Sequence, residues 1–102
     1  MSYKNRSHLY HVAKSSIHGM GVFASRQINE GDIIGNLSTT PAYRNGSHVL
    51  WITEKRKVRV HCKLRFVNHS ESPNAVYYDT LEVVALRNIS KGEEITHDYS
   101  GE

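Results

Sequence analysis

A nine-residue pattern, Arg-x-Ile-x-x-Gly-acid-x-Ile, occurs twice in this chain, at Arg26–Ile34 and at Arg87–Ile95. In each copy the glycine falls at the tip of a turn that hands an apolar residue to a new strand. A strand-like segment precedes each arginine, Val22–Ala24 in the first copy and Leu81–Leu86 in the second. Two related strand–turn–strand units near a pseudo-twofold axis are therefore expected. Two copies are too few for a solenoid.

The rest of the chain reads as short strands too. Leu9–Val12 predicts a first strand, closed by Lys14-Ser15-Ser16. In His18-Gly19-Met20-Gly21 the two glycines permit unusual backbone angles and close approach of a ligand to the main chain. The third glycine of the dinucleotide fingerprint is missing, and no helix-forming stretch follows. His48–Thr53 and Lys57–His61 predict a hairpin across Glu54–Arg56, and Ala75–Tyr78 with Leu81–Ala85 a second one turning at Asp79-Thr80. A last strand covers Ile95–Tyr99, and no segment has a convincing amphipathic helical period. Many short strands with glycine-rich turns predict an all-β fold.

At 102 residues the chain is expected to form one domain, residues 1–102, with a modest core. Its 38% hydrophobic content places it among globular rather than disordered chains. A single cysteine, Cys62, excludes an internal disulfide and a multi-thiolate zinc cluster. A metal site from His61, Cys62, His69 and Asp98 lacks pair-and-pair ligand spacing, so no metal is expected. The sequence holds no apolar run of bilayer length and no signal-peptide core, so a cytoplasmic location (nuclear in a eukaryote) and no membrane partner are expected. The formal charge of +3 suits nucleic acid, anionic cofactors or acidic partners without choosing among them. The basic run Lys55–Lys63 alternates with apolar residues and lacks interleaved aromatics, so a solvated strand face explains it better than a nucleic-acid groove.

Arg65-Phe66-Val67-Asn68-His69-Ser70-Glu71-Ser72-Pro73-Asn74 is the most chemically loaded stretch. Pro73 forbids a regular helix, and Asn68, Ser70 and Asn74 favour bonds to nearby backbone. The stretch predicts a tight polar loop hung on a short buried strand, Arg65–Val67.

Taken in order, HGMGVFA, GDII, RFVNHSESPNAVYY and ALRNISKGEEITHDY make the chain resemble the SET-domain lysine methyltransferases, from Gly19 to Tyr99. The resemblance implies short curved strands in small sheets (the β-clip architecture) and a C-terminal pseudoknot bringing Asn68, His69 and Tyr99 together. It implies S-adenosylmethionine as cofactor, met by Gly19 and Met20 through backbone groups and by Arg65, Phe66, Asn68 and His69. S-adenosylhomocysteine would be the product. Tyr99 matches the catalytic tyrosine, as orienter rather than obligate base. Tyr77 matches an aromatic that governs how many methyl groups a lysine receives. The implied partner is a protein with an accessible lysine, a histone or another basic protein.

Three departures qualify the resemblance. His97 stands where the family usually has an aromatic or aliphatic residue; a strand side chain facing solvent is the favoured reading, a pH-sensitive channel residue the other. The segment between Leu37 and Leu64 is short for the family's variable insert; Tyr43 and Trp51 are its candidate channel aromatics, either also readable as ordinary core, Trp51 especially. Three residues follow Tyr99, without the cysteines of the family's closing segment. Residues 1–8, a second subunit in a homodimer, or the substrate itself would then have to cover the site. The alternatives to an enzyme are a catalytically weak binding module on the same fold and a basic nucleic-acid-binding domain. His8, His11, His18 and His48 are expected at surface or turn positions without a role.

Overall fold

The computed structural model of the chain describes residues 9–46, 48–53 and 56–99. Residues 1–8, Glu54 and Lys55 of the first predicted hairpin turn, and the three residues after Tyr99 lie outside the described residues. Among the described residues ten strands run in order: β1 (Tyr10–Lys14), β2 (Met20–Ala24), β3 (Ile33–Asn36), β4 (Thr39–Pro41), β5 (Val49–Thr53), β6 (Arg56–Val60), β7 (Asn68–His69), β8 (Ala75–Tyr77), β9 (Glu82–Ala85) and β10 (Glu94–His97). They form three small sheets, ordered β1-β2-β10-β7, β3-β9-β8 and β4-β6-β5. The all-β expectation holds.

The repeat is realised bond for bond. Ile28 and Ile89 exchange both backbone hydrogen bonds, at 2.9 and 2.7 Å. Gly31 donates to the Ala85 carbonyl at 2.8 Å, and Gly92 to that of Ala24 at 2.7 Å. Both turns need a left-handed residue, and the glycines supply it with φ of 88° and 87°. Asn29 N–H donates to the Asp32 carboxylate at 2.9 Å, as Ser90 N–H does to Glu93 at 3.0 Å. The equivalence also reaches further N-terminally than the pattern, because Val22 and Ala24 match Val83 and Ala85. These four and the repeat isoleucines (28, 34, 89 and 95) are all within 2% of full burial. Each isoleucine taken from water contributes about 2 kcal/mol, so the repeat itself builds the core.

Each copy's leading strand pairs with the other copy's trailing strand. β2 lies against β10 (Ile95↔Val22), and β3 against β9 (Ile33↔Val84). On its other side β10 runs parallel to β7, with Thr96 opposite Asn68 and His97 opposite His69. The buried Asn74 side chain takes up the same strand: its Nδ2 donates to the Glu94 carbonyl at 2.8 Å and its Oδ1 accepts from Thr96 N–H at 2.9 Å. The final strand is thus gripped by both ends of the 68–74 loop, which is the expected pseudoknot.

Several boundaries differ from the sequence reading. Arg65–Val67 is no strand: Lys63–Phe66 forms one 3-10 turn whose single buried residue is Leu64. A three-residue apolar run carries no period to tell strand from turn, and the Arg65 guanidinium folds back to the carbonyls of His61 and Cys62 at 3.2 and 3.1 Å. The second hairpin turns over three residues rather than two. Leu81 N–H donates to the Tyr78 carbonyl and Tyr78 N–H to that of Glu82, with Leu81 at φ 72°. Leu81 accepts that left-handed angle, otherwise a glycine position, while packing against the core. The first strand runs on to Lys14, where Ser15 N–H closes the β1–β2 connection on the Gly19 carbonyl at 2.8 Å.

Candidate active site

Tyr77 from β8 and Tyr99 just beyond β10 meet hydroxyl to hydroxyl at 3.0 Å, with rings edge-on at 84°. Tyr99 donates to the Val67 carbonyl at 2.8 Å, so its oxygen accepts from Tyr77. The Leu64 carbonyl lies 3.4 Å from the Tyr77 hydroxyl. Burial raises the Tyr77 phenol well above its ordinary value, and the nearby Tyr99 raises it further. Burial also raises Tyr99, partly offset by the bond from Tyr77. Both phenols therefore stay protonated at neutral pH. They are fixed dipoles rather than bases.

Two cavities adjoin this pair. One, of about 180 Å³, has apolar walls of Val49, Leu50, Val60 and Val67, with His48, Arg65 and both phenols completing it. The other, of about 170 Å³, lies between Val49–Trp51 of β5 and His97–Tyr99. Tyr99, Val49 and Leu50 belong to both. An extended side chain can thus be led past the Tyr99 ring between β5 and the end of β10.

Asn68 and His69 of β7 face opposite ways, His69 to Tyr99 and Asn68 to the His18–Met20 loop. The His69 ring accepts from Tyr99 N–H at Nδ1, 3.0 Å away, so its proton sits on Nε2. Asn68 Nδ2 donates to the backbone carbonyls of His18 and Met20 at 3.0 and 3.1 Å and to Glu94 at 2.9 Å. Gly19, between those carbonyls, is exposed with φ 44°. Three of the six expected cofactor residues (Gly19, Met20 and Asn68) are therefore drawn together by the Asn68 amide, while the His69 ring turns to Tyr99. Among the described residues, Arg65 and Phe66 do not join them by any hydrogen bond. Arg65 lines the 180 Å³ cavity and stacks 4.2 Å over Phe66, whose ring meets His48 edge-on.

His97 corrects the expectation of a solvent-facing residue. It stacks on Tyr77 with centroids 4.3 Å apart and rings 10° from parallel, and stands edge-on to Tyr99 at 4.8 Å. His97 closes β10 two residues before Tyr99, and Tyr77 supplies a flat partner there. Burial lowers its pKa from 6.5, against the Ala75 carbonyl and Asp98, which raise it, and with His69, which lowers it further.

Trp51 is also not core. It is 52% exposed at the rim of the 170 Å³ cavity, with Lys57 Nζ 4.9 Å over its ring and its indole N–H on Asn45. The basic strand thus carries an aromatic contributed by its neighbour, which one strand read alone could not reveal. Tyr43 is 87% exposed and lines neither cavity. His48, expected to have no role, forms part of the 180 Å³ cavity and lies 3.2 Å from the Arg65 carbonyl. Its φ of 61° is a positional feature with no sequence signal. Among the described residues, no three His, Cys, Asp or Glu side chains form a metal-binding group.

The geometry agrees with what comparison shows. A SET-domain family profile matches residues 19–100. No match is found among curated proteins. Among solved structures, a crystal structure of a candidate histone methyltransferase from Plasmodium falciparum superposes with a TM-score of 0.73 at 25% identity, over 91% of this chain and 94% of that one. The matched span covers both repeat turns, the Asn-His loop and the terminal tyrosine, and the chain belongs to the SET-domain methyltransferase family.

Proposed function

We propose that this chain transfers methyl groups from S-adenosylmethionine to the ε-amine of a lysine in a protein substrate. The observation that carries this reading is the Tyr77–Tyr99 hydroxyl pair, locked on the Val67 carbonyl between an apolar passage and the Asn68–His69 surface. The residues present fit the donor. Among the described residues, Asn68 Oδ1 accepts no hydrogen bond and is free to receive the donor's ammonium, and the exposed Gly19 backbone permits close approach. Bound there, S-adenosylmethionine supplies an electrophilic methyl group on a sulfonium.

The chain's own part is placement. Val49, Leu50 and Val67 keep water from the lysine stem and disfavour the charged amine. Tyr99 oxygen, its proton committed to Val67, presents a lone pair that can accept an amine N–H and turn the nitrogen's lone pair toward the donor. Holding two reactants in line is worth several kcal/mol without any proton taken by the protein.

Two measurements test this. Calorimetry with S-adenosylhomocysteine reads donor-site uptake, and labelled donor with mixed basic proteins reads transfer to lysine. Uptake with lysine methylation is the expected result. Uptake without transfer, identical in wild type and Tyr99→Phe, would reduce the chain to a binding module.

The His97 geometry adds a pH dependence. Because its folded pKa is lowered, His97 is neutral at neutral pH; its contribution to stability is present above the unfolded value of 6.5 and is lost as pH falls toward the lowered one. Protonation also puts a cation in this half-buried site, where the Ala75 carbonyl and Asp98 favour it and His69 disfavours it, and that cation repels both the lysine and the sulfonium. Transfer should fall more steeply with acid in wild type than in His97→Phe, by about one extra power of ten per pH unit below the lowered pKa. Parallel pH profiles for the two would refute the role.

A further inference from the structure

At one position the two repeat copies exchange an apolar residue for an acid: where the first has Ile33, the second has Glu94. Ile33 packs as a strand residue opposite Val84, whereas the half-buried Glu94 carboxylate accepts from Ser15 Oγ at 2.8 and 2.9 Å and from Asn68 Nδ2 at 2.9 Å. Among the described residues it makes no ion pair. Gly21 makes room for it: a Cβ there would overlap the carboxylate and come within 2.9 Å of Ser15 Cβ. Ser15 also accepts from Ile17 N–H at 2.9 Å, so one side chain ties the loop before Met20 to Glu94. Symmetry of the fold is broken at the Asn68 surface by a charge that nothing in the core requires.

We propose that Glu94 is a positioning residue of the donor site, orienting the Asn68 amide so that Oδ1 faces outward to receive the ammonium of the donor's amino-acid end. This role rests on the proposed function and on acceptor chemistry. The His18 and Met20 carbonyls and the Glu94 carboxylate are all acceptors, so only the NH₂ of Asn68 can face them. A flipped amide would set oxygen against a full negative charge. Without Glu94 the amide retains two neutral carbonyls and loses its charged anchor, whose bond is the strongest of the three.

The test compares two ligands by calorimetry: S-adenosylhomocysteine, and 5′-methylthioadenosine, which keeps the nucleoside and sulfur but lacks the amino-acid end. Glu94→Gln keeps an acceptor oxygen for Asn68 and should bind both within about threefold of wild type, whereas Glu94→Ala should weaken S-adenosylhomocysteine about tenfold or more and methylthioadenosine by less than about twofold. Ser15→Ala, which frees the carboxylate while leaving β10 untouched, should show the same selectivity at smaller size and serves if Glu94→Ala does not fold. Equal weakening of both ligands, or a loss in Glu94→Gln as large as in Glu94→Ala, would overturn the assignment and leave the proposed function standing. Failure of wild type to bind either ligand overturns both.

Discussion

Tyr99→Phe is expected to slow methyl transfer about a hundredfold or more, the scale of losing one preorganised polar group at a reacting centre. The ring stays, with its edge-on contacts to Tyr77 and His97, and so does the backbone bond to His69. What goes is the oxygen joining the Val67 carbonyl to the Tyr77 hydroxyl. The loss of both hydrogen bonds should cost about 2 kcal/mol of stability, a fall in Tm of roughly 8–16 °C. S-adenosylhomocysteine affinity should stay within about threefold, because no donor contact is assigned to the phenol. Tyr77→Phe should be milder, since Tyr99 keeps its bond to Val67 and therefore its orientation. Single-turnover rates on a lysine substrate, with calorimetry and thermal unfolding of the same variants, check all three. Unchanged transfer in Tyr99→Phe would remove the phenol from the mechanism.

What could be read before folding was whatever repeats or clusters along the chain. The two Arg-x-Ile-x-x-Gly turns announce their glycines and their isoleucines, and the structure places both as read. The loop at Asn68–Asn74 and the tyrosine at 99 carry motif-level signals, and the β7–β10 pairing joins them. Features that depend on a partner far along the chain stayed hidden. His97 has no sequence mark of its stacking, because Tyr77 lies twenty residues away on another sheet. Trp51 looks like core in an apolar strand, yet β5 is the edge of its sheet and turns the indole outward. Glu94 carries no sequence mark of its bonds to Ser15 and Asn68, which lie far along the chain. Local chemistry is legible in order; apposition is legible only once the sheets close.

Asn74→Ala should be the most destabilising single substitution in the loop, costing about 2–5 kcal/mol, because it strips partners from two backbone groups at once. The side chain is 1% exposed, and it bonds Glu94 O and Thr96 N–H as a neighbouring strand would. No β7 residue is paired with Glu94, since the pairing with β7 begins at Thr96. The amide therefore extends the sheet edge where the chain has already turned away. Against a total stability of about 5–15 kcal/mol for a domain this size, the loss is a large share. Asn74→Asp sharpens the test. Its carboxylate can still accept from Thr96 but repels the Glu94 carbonyl, whereas the protonated acid can donate to it. The folded pKa of that aspartate would be raised above its unfolded value, so its stabilising form is present at low pH and is lost as pH rises through the folded pKa. Urea unfolding should therefore show Asn74→Asp approaching wild type in mild acid and Asn74→Ala level at neutral pH. A variant pair insensitive to pH, or an alanine cost below about 1 kcal/mol, would mean that the final strand is held by β2 and β7 alone.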